Sequence, residues 1–168
     1  MSEATQKQNG WLRLVAQPRS FAGLMALYES NYLRFLRLVP ETAVPFEQAV
    51  SRAGDHDLHL RVLERCRYTT TLHLTHWFGA GANARPDPDL KLRVYRDAKL
   101  AEAISCDSAS RYVALAGVPH IEAGVLASQW PRNLLLNKWL AYCLQQGHGF
   151  GAAERPRCPF ALASALDY

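Results

Sequence analysis

The stretch Val62–Phe78, VLERCRYTTTLHLTHWF, alternates apolar and polar side chains almost without a break. Successive side chains of a strand point to opposite faces, so a run like this belongs in a half-buried sheet with one register inward. Leu58, Leu60 and Val62 share a register in the run DLHLRVLE, and Leu72, Leu74 and Phe78 share one in TTTLHLTHWF. All these positions are even-numbered. Facing residues across a two-residue hairpin loop differ by an odd number, so matching parity demands an odd loop, a β-bulge near RCR, or one long bent strand. The turn chemistry there is poor, without Gly, Asn or Pro. In the even register Glu64 points toward the apolar side, where a carboxylate needs a partner or becomes neutral.

The rest of the chain supplies elements to cover that sheet. Ser20 is a candidate N-cap for a helix in which Met25, Tyr28, Tyr32, Phe35, Leu36 and Val39 fall at helical spacing, and Pro40 and Pro45 mark its exit. Residues 41–56 read as a connection with a helical turn around Phe46–Val50. FGAGANARPDPD is a loop. LKLRVYRD alternates again, with Leu90, Leu92 and Val94 inward, and AKLAEAISC and RYVALAGVP are further strands separated by DSAS. Pro131 suits a helix start. Leu135, Leu136, Trp139, Leu140, Cys143 and Leu144 then form a helical stripe that Gly147 stops. The expected fold is α+β: an antiparallel sheet of about five strands with N- and C-terminal helices packed on one face. Residues 1–19 form a tail with a short helix over WLRLVAQP, residues 20–148 a single domain, and residues 149–168 an extension.

At 168 residues one domain is the natural reading, and 49% hydrophobic with 20% charged residues suits a globular chain rather than a disordered one. No apolar run reaches the roughly 18 residues that span a membrane. The N-terminal MSEATQKQNG has no apolar signal core, so the expected compartment is the cytoplasm. Net charge is +4, carried mostly by arginine, with lysine only at Lys7, Lys91, Lys99 and Lys138. Guanidinium forks suit phosphate and carboxylate, which mildly favours an anionic partner. Cys66, Cys106, Cys143 and Cys158 form no CxxC or paired metal spacing and read as free thiols, with Cys66 and Cys143 packed as small apolar groups.

The strings NYLRFLRLVP, ERCRYTTTLHL, LKLRVYRDAKLAEA and NKWLAYCLQQGHG, in this order across roughly residues 22–148, resemble the YqiB-like family of uncharacterised bacterial proteins. The resemblance implies one group of matching positions at Glu64, Arg67, Tyr68, Thr69 and Thr70, and another at Arg93, Tyr95 and Asp97 with Glu102 beyond. It also implies a charged segment ahead of the last helix, where this chain carries the mostly apolar EAGVLASQWPRN. It brings no established activity.

Read from the residues, the candidate surface is the polar sheet face: His59, Arg61, Arg65, Arg67, Lys91, Arg93 and Lys99, with Tyr95 and Trp77 adding aromatic area. The candidate ligand-binding residues are Glu64, Arg67, Tyr68, Arg93, Tyr95 and Asp97. Arg67, Arg93 and Tyr95 would contact an anion, and Glu64 and Asp97 would orient the arginines. The expected role is a non-catalytic binding or adaptor domain for a small anionic ligand or a protein partner. One alternative is a hydrolase or transferase acting on a nucleotide-like substrate, with Glu64 or Asp97 as base. Another is RNA or ribosome association through basic groups interleaved with aromatics.

No P-loop, GxGxxG or GxSxG is present. No cofactor or metal is expected. His73 and His76, three apart on a strand, face opposite sides and cannot chelate together. Glu64, Asp97 and Glu102 would make a divalent-cation site only if the fold gathered them. His120 and His148 read as isolated loop residues, and Trp130, Trp139 and Tyr142 as candidates for lining a pocket under the last helix. The oligomeric state is left open, although a free edge strand would permit a dimer.

Overall fold

The computed structural model describes residues 20–40, 46–79, 81–106 and 125–151. Helix α1 spans Phe21–Leu38, and the Ser20 hydroxyl caps it by accepting from the Gly23 N–H at 3.0 Å. This satisfies one of the donors that a first turn leaves without a partner. Strands β1 (Gln48–Ser51), β2 (Leu58–Arg65), β3 (Thr69–Phe78), β4 (Arg85–Pro86), β5 (Leu90–Tyr95) and β6 (Leu100–Cys106) follow, then helix α2 (Val125–Gln145). The sheet is antiparallel, in the order β1-β2-β3-β5-β6, and the short β4 pairs with the end of β3. The fold is therefore α+β: among the described residues an open antiparallel sheet of six strands lies between two α-helices in sequence.

Two local expectations are corrected. The segment read as a helical turn is β1, laddered to β2 from Gln48↔Arg61 to Ser51↔Leu58. Four residues, QAVS, carry too little periodicity to announce a strand. Pro131 lies inside α2 rather than at its start. The second expected strand, RYVALAGVP, the WLRLVAQP helix and residues 152–168 lie outside the described residues.

The parity conflict between β2 and β3 is resolved by a bulge at Leu63. Leu60 faces Leu74 and Val62 faces Leu72, but beyond the bulge Glu64 faces Thr71 and Arg65 faces Thr70. The extra residue carries Glu64 to the outer face and Arg65 into the inner register, which reverses both expectations. The tip is Arg67-Tyr68. Cys66 N–H donates to Thr69 O at 2.8 Å, while the carbonyls of Cys66 and Arg67 accept from the Arg96 guanidinium at 3.0 and 2.7 Å. Arg96 N–H also donates to Tyr68 O at 2.9 Å. A tip without Gly or Asn thus draws its support from the neighbouring β5–β6 connection.

The inner face presents Leu58, Leu60, Leu72, Leu74, Leu90, Leu92, Ala101 and Ala103, all buried against Tyr32, Phe35 and Leu38 of α1 and Leu136, Leu140 and Cys143 of α2. Full burial of a leucine or phenylalanine contributes about 1.5–3 kcal/mol relative to exposure, so this layer dominates stability. A second cluster joins Leu24, Leu27 and Tyr28 of α1 to Trp130 and to Leu100. Leu100 pairs with Tyr95 in the outward register, so the first half of α1 covers the β6 edge.

That edge is also tied to α2. Asn133 Oδ1 accepts from the Ala103 N–H at 2.8 Å, and Arg132 donates to Ile104 O at 3.0 Å. Asn31 and Asn137, both buried, complete a ladder between the helices, with Asn137 Nδ2 donating to Asn31 Oδ1 at 2.9 Å. At the far end, Gly147 (φ 83) closes α2 as its position predicts. The chain stays packed through Phe150, whose side chain is buried and whose N–H donates to Leu38 O at 2.7 Å.

Candidate functional site

The outer face of the sheet carries a cross-strand row. Glu64 on β2 faces Thr71 on β3, Thr71 faces Arg93 on β5, and Arg93 faces Glu102 on β6. The row exists because strand alternation puts Thr71, Arg93 and Glu102 outward, and the Leu63 bulge brings Glu64 to the same side. Thr71 is the hub. Its hydroxyl lies 3.5 Å from Glu64 Oε2, to which it donates, and accepts from Arg93 Nε at 3.4 Å. Although it points outward, Thr71 is only 6% exposed, because longer side chains rise on both flanking strands.

Tyr95 stands two residues along β5 and donates to Glu102 Oε1 at 2.7 Å. Burial, then the hydrogen bond to Glu102, pushes its phenol above the ordinary range. Tyr28 reaches Glu102 from α1. Burial first, and the neighbouring carboxylate second, raise its phenol well above the ordinary range too. Both phenols therefore stay protonated near neutral pH and remain donors toward Glu102.

Arg93 has a different environment. It is half-buried between the hydroxyl of Thr71 and the phenol of Tyr95. Among the described residues, ion pairs within 4 Å join Arg52 to Asp57 and His73 to Asp89, and none involves Arg93. A carboxylate stands on each side of Arg93 in the row, yet neither neutralises it at contact distance.

Of the expected residues, Glu64, Arg93 and Tyr95 come together on this face. Arg67 and Tyr68 form the hairpin tip beyond the ladder, with the Arg67 guanidinium 5.1 Å from the centre of the Tyr68 ring. Asp97 is exposed in the turn between β5 and β6. The carboxylate of Glu64 is taken by Thr71 and, at 3.9 Å, the Cys66 thiol, not by an arginine. Cys66 is exposed rather than packed, whereas Cys143 is fully buried and its thiol is pushed up to about 12 by that burial.

The imagined acidic trio does not converge. Glu64 and Glu102 are separated by three strand spacings, roughly 14 Å, and no group of three or more metal-ligating side chains gathers among the described residues. Sequence reasoning missed Thr71 as the hub and Tyr28 as a site neighbour. Strand alternation signals the first, since Thr71 shares the polar register; nothing local signals the second, because α1 reaches Glu102 only through tertiary packing.

His73 and His76 lie on opposite faces of β3, as their spacing predicts, whereas His148 departs from expectation. His73 faces outward to Asp89, while His76 faces inward. His148, expected to be isolated, is buried with its ring centre 5.4 Å from that of His76. Trp139 packs on His76 in the main core, Trp130 belongs to the second cluster, and Tyr142 is exposed, so the three do not share a pocket.

Comparison with known proteins places this geometry in a family. The model described as "Protein of unknown function (DUF1249)" matches residues 34–149. The "Uncharacterized protein YqiB" of Escherichia coli strain K12 is 28% identical over 127 residues, covering 76% of this chain and 90% of the relative. The proteins of the same description in Escherichia coli O6:H1 and O157:H7 match to the same extent. No solved structure matches. No helix among the described residues is long and apolar enough to cross a membrane.

Proposed function

For a chain that belongs to the DUF1249 family, whose description is a protein of unknown function, we propose a binding domain that holds a small anion at Arg93 on the outer sheet face. The observation that carries this reading is the state of the Arg93 guanidinium. It is oriented by Thr71 Oγ1 and set beside Tyr95, and among the described residues no carboxylate lies within 4 Å. A half-buried guanidinium with part of its fork unused suits phosphate or carboxylate.

Glu64 and Glu102 flank the position and favour a ligand that also offers hydroxyl or amino donors. They disfavour a polyanion, since each adds negative charge next to the cation. This supports a compact sugar-phosphate-like or amino-acid-like molecule over RNA. Asp97 and Glu64 occupy different elements, and Glu64 already accepts a hydroxyl bond, which supports binding over base catalysis.

Ribose 5-phosphate is a suitable probe. At millimolar concentration it should raise the melting temperature by mass action, while free ribose should not. Arg93→Gln should keep the melting temperature of the unliganded protein within a few degrees and abolish the shift. A panel of small phosphates and carboxylates that produces no saturable shift overturns the reading.

A further inference from the structure

Charge alternates along the cross-strand row. Glu64, Thr71, Arg93 and Glu102 follow one another over β2, β3, β5 and β6, so a carboxylate stands on each side of one guanidinium. The two carboxylates are not equivalent. Glu102 is half-buried; it already accepts from the Tyr95 phenol at 2.7 Å, and Tyr28 bonds to it from α1. Glu64 is exposed, and its contacts are long: the Thr71 hydroxyl at 3.5 Å and the Cys66 thiol at 3.9 Å. An ionised carboxylate accepts about four hydrogen bonds, so Glu64 keeps room for a charged donor.

Distance sets the size of the ligand. Thr71 Oγ1 lies 3.5 Å from Glu64 Oε2 and 3.4 Å from Arg93 Nε, so both charges stand over one residue of β3. A cation and an anion joined through a single carbon can meet both. Charge-assisted hydrogen bonds at the two ends are stronger than either long contact to the hydroxyl. The surroundings match such a pair. In the next row Arg61 and Lys91 flank His73, whose ring is bonded to Asp89. Glu64, Asp89 and Glu102 thus balance Arg61, Lys91 and Arg93 around Thr71. A face without surplus charge is complementary to a ligand without net charge.

We propose that the anion held at Arg93 is the carboxylate of a free α-amino acid, whose ammonium group bonds to Glu64 across Thr71. This inference rests on the anion-binding reading of Arg93 and adds the cationic half of the ligand. Glu64 is then a specificity residue: it accepts from the ammonium and repels a second anionic group.

L-Alanine tests this against propionate, which lacks the ammonium, and L-alaninamide, which lacks the carboxylate. Binding is read by titrating the backbone amide chemical shifts of β3 and β5. L-Alanine should bind saturably, and each analogue should bind about tenfold more weakly or worse, as the loss of a hydrogen bond to a charged group implies. Glu64→Gln, at an exposed position, should reduce L-alanine to the affinity of propionate and leave propionate no weaker than in the parent. Arg93→Gln should abolish the binding of both. Equal affinity for L-alanine and either analogue, or a preference for L-alanine over propionate that survives Glu64→Gln, overturns the amino-acid proposal. In that case Arg93-dependent binding of propionate or ribose 5-phosphate still upholds the anion site. If no carboxylate or phosphate binds in an Arg93-dependent way, both readings fall.

Discussion

Asn133 ties α2 both to the β6 edge and to α1. Its side-chain oxygen accepts from the Ala103 N–H at 2.8 Å, and its amide donates to Gln129 O at 2.8 Å. Asn31 approaches both its carbonyl and its side-chain oxygen at 3.4 Å. The residue is fully buried, so truncation strands donors that water cannot reach. An abandoned buried donor or acceptor costs about 1–3 kcal/mol, and Asn133→Ala abandons the Ala103 N–H outright while removing the side-chain contacts to Asn31 and Gln129. Urea unfolding should show a loss of about 3 kcal/mol. Ser30→Ala removes one partially buried contact to Asn137, at 2.9 Å, and should cost about 1 kcal/mol. Equal costs for the two variants would mean that the ladder is not the tie holding β6 to the helices.

At the scale of elements, the Arg67-Tyr68 tip makes a second case of support from outside the segment. Two-residue hairpins ordinarily rely on Asn-Gly or similar pairs that relieve backbone strain. This tip has neither, and Arg96 supplies three bonds to its backbone carbonyls, one from the main chain and two from the guanidinium. Arg96→Gln should therefore destabilise the protein by about 1–2 kcal/mol. In an Arg67→Asn/Tyr68→Gly background, where the turn chemistry is local, the same change should cost less than half as much. An equal cost in both backgrounds would show that Arg96 does not act through the tip. The same comparison explains what the sequence could reveal. Strands β2, β3 and β5 announced themselves because Leu58, Leu60, Leu72, Leu74, Leu90 and Leu92 repeat at period two over enough residues. The parity of those leucines even required an irregularity. Its location did not follow: a bulge at Leu63 rather than at the tip decides whether Glu64 or Arg65 reaches the outer face, and periodicity is blind to a one-residue slip. Arg93 and Tyr95 were legible as outward residues of β5, whereas Tyr28 and Glu102 meet only because α1 covers the β6 edge.

Across the whole molecule, the sheet end opposite the hairpin tip is held by neutral imidazoles. His76 sits inside, its Nδ1 donating to Asp57 O at 3.0 Å, with Trp139 on one side and His148 beside it. The Ser51 hydroxyl accepts from Gly149 N–H at 3.1 Å and can donate its own proton to His148 Nδ1 at 3.2 Å. This junction thus joins β1, β3, α2 and the segment after α2. Burial is the main cause that holds His76 and His148 below the ordinary histidine range, followed by the Asp57 carbonyl bond acting in the opposite sense on His76 and by the charge of His76 on His148. His59, on the outer face, is lowered mainly by burial as well, with Asp57 opposing. In the unfolded chain each of these imidazoles titrates near its usual value, about 6.5. Below that pH the unfolded state takes up protons that the folded state refuses, so the unfolded side of the equilibrium is favoured. The stability these groups provide is complete above about pH 6.5 and is lost as pH falls through the folded values. Calorimetric unfolding should take up almost no protons at pH 7.5 and roughly one to two at pH 5.5, with the melting temperature falling across the same interval. Replacing both buried rings, His76→Leu with His148→Leu, should flatten the dependence even where it shifts the melting temperature as a whole. If the doubly substituted protein keeps the slope of the parent, the proton uptake arises elsewhere and the junction is not what acid loosens first.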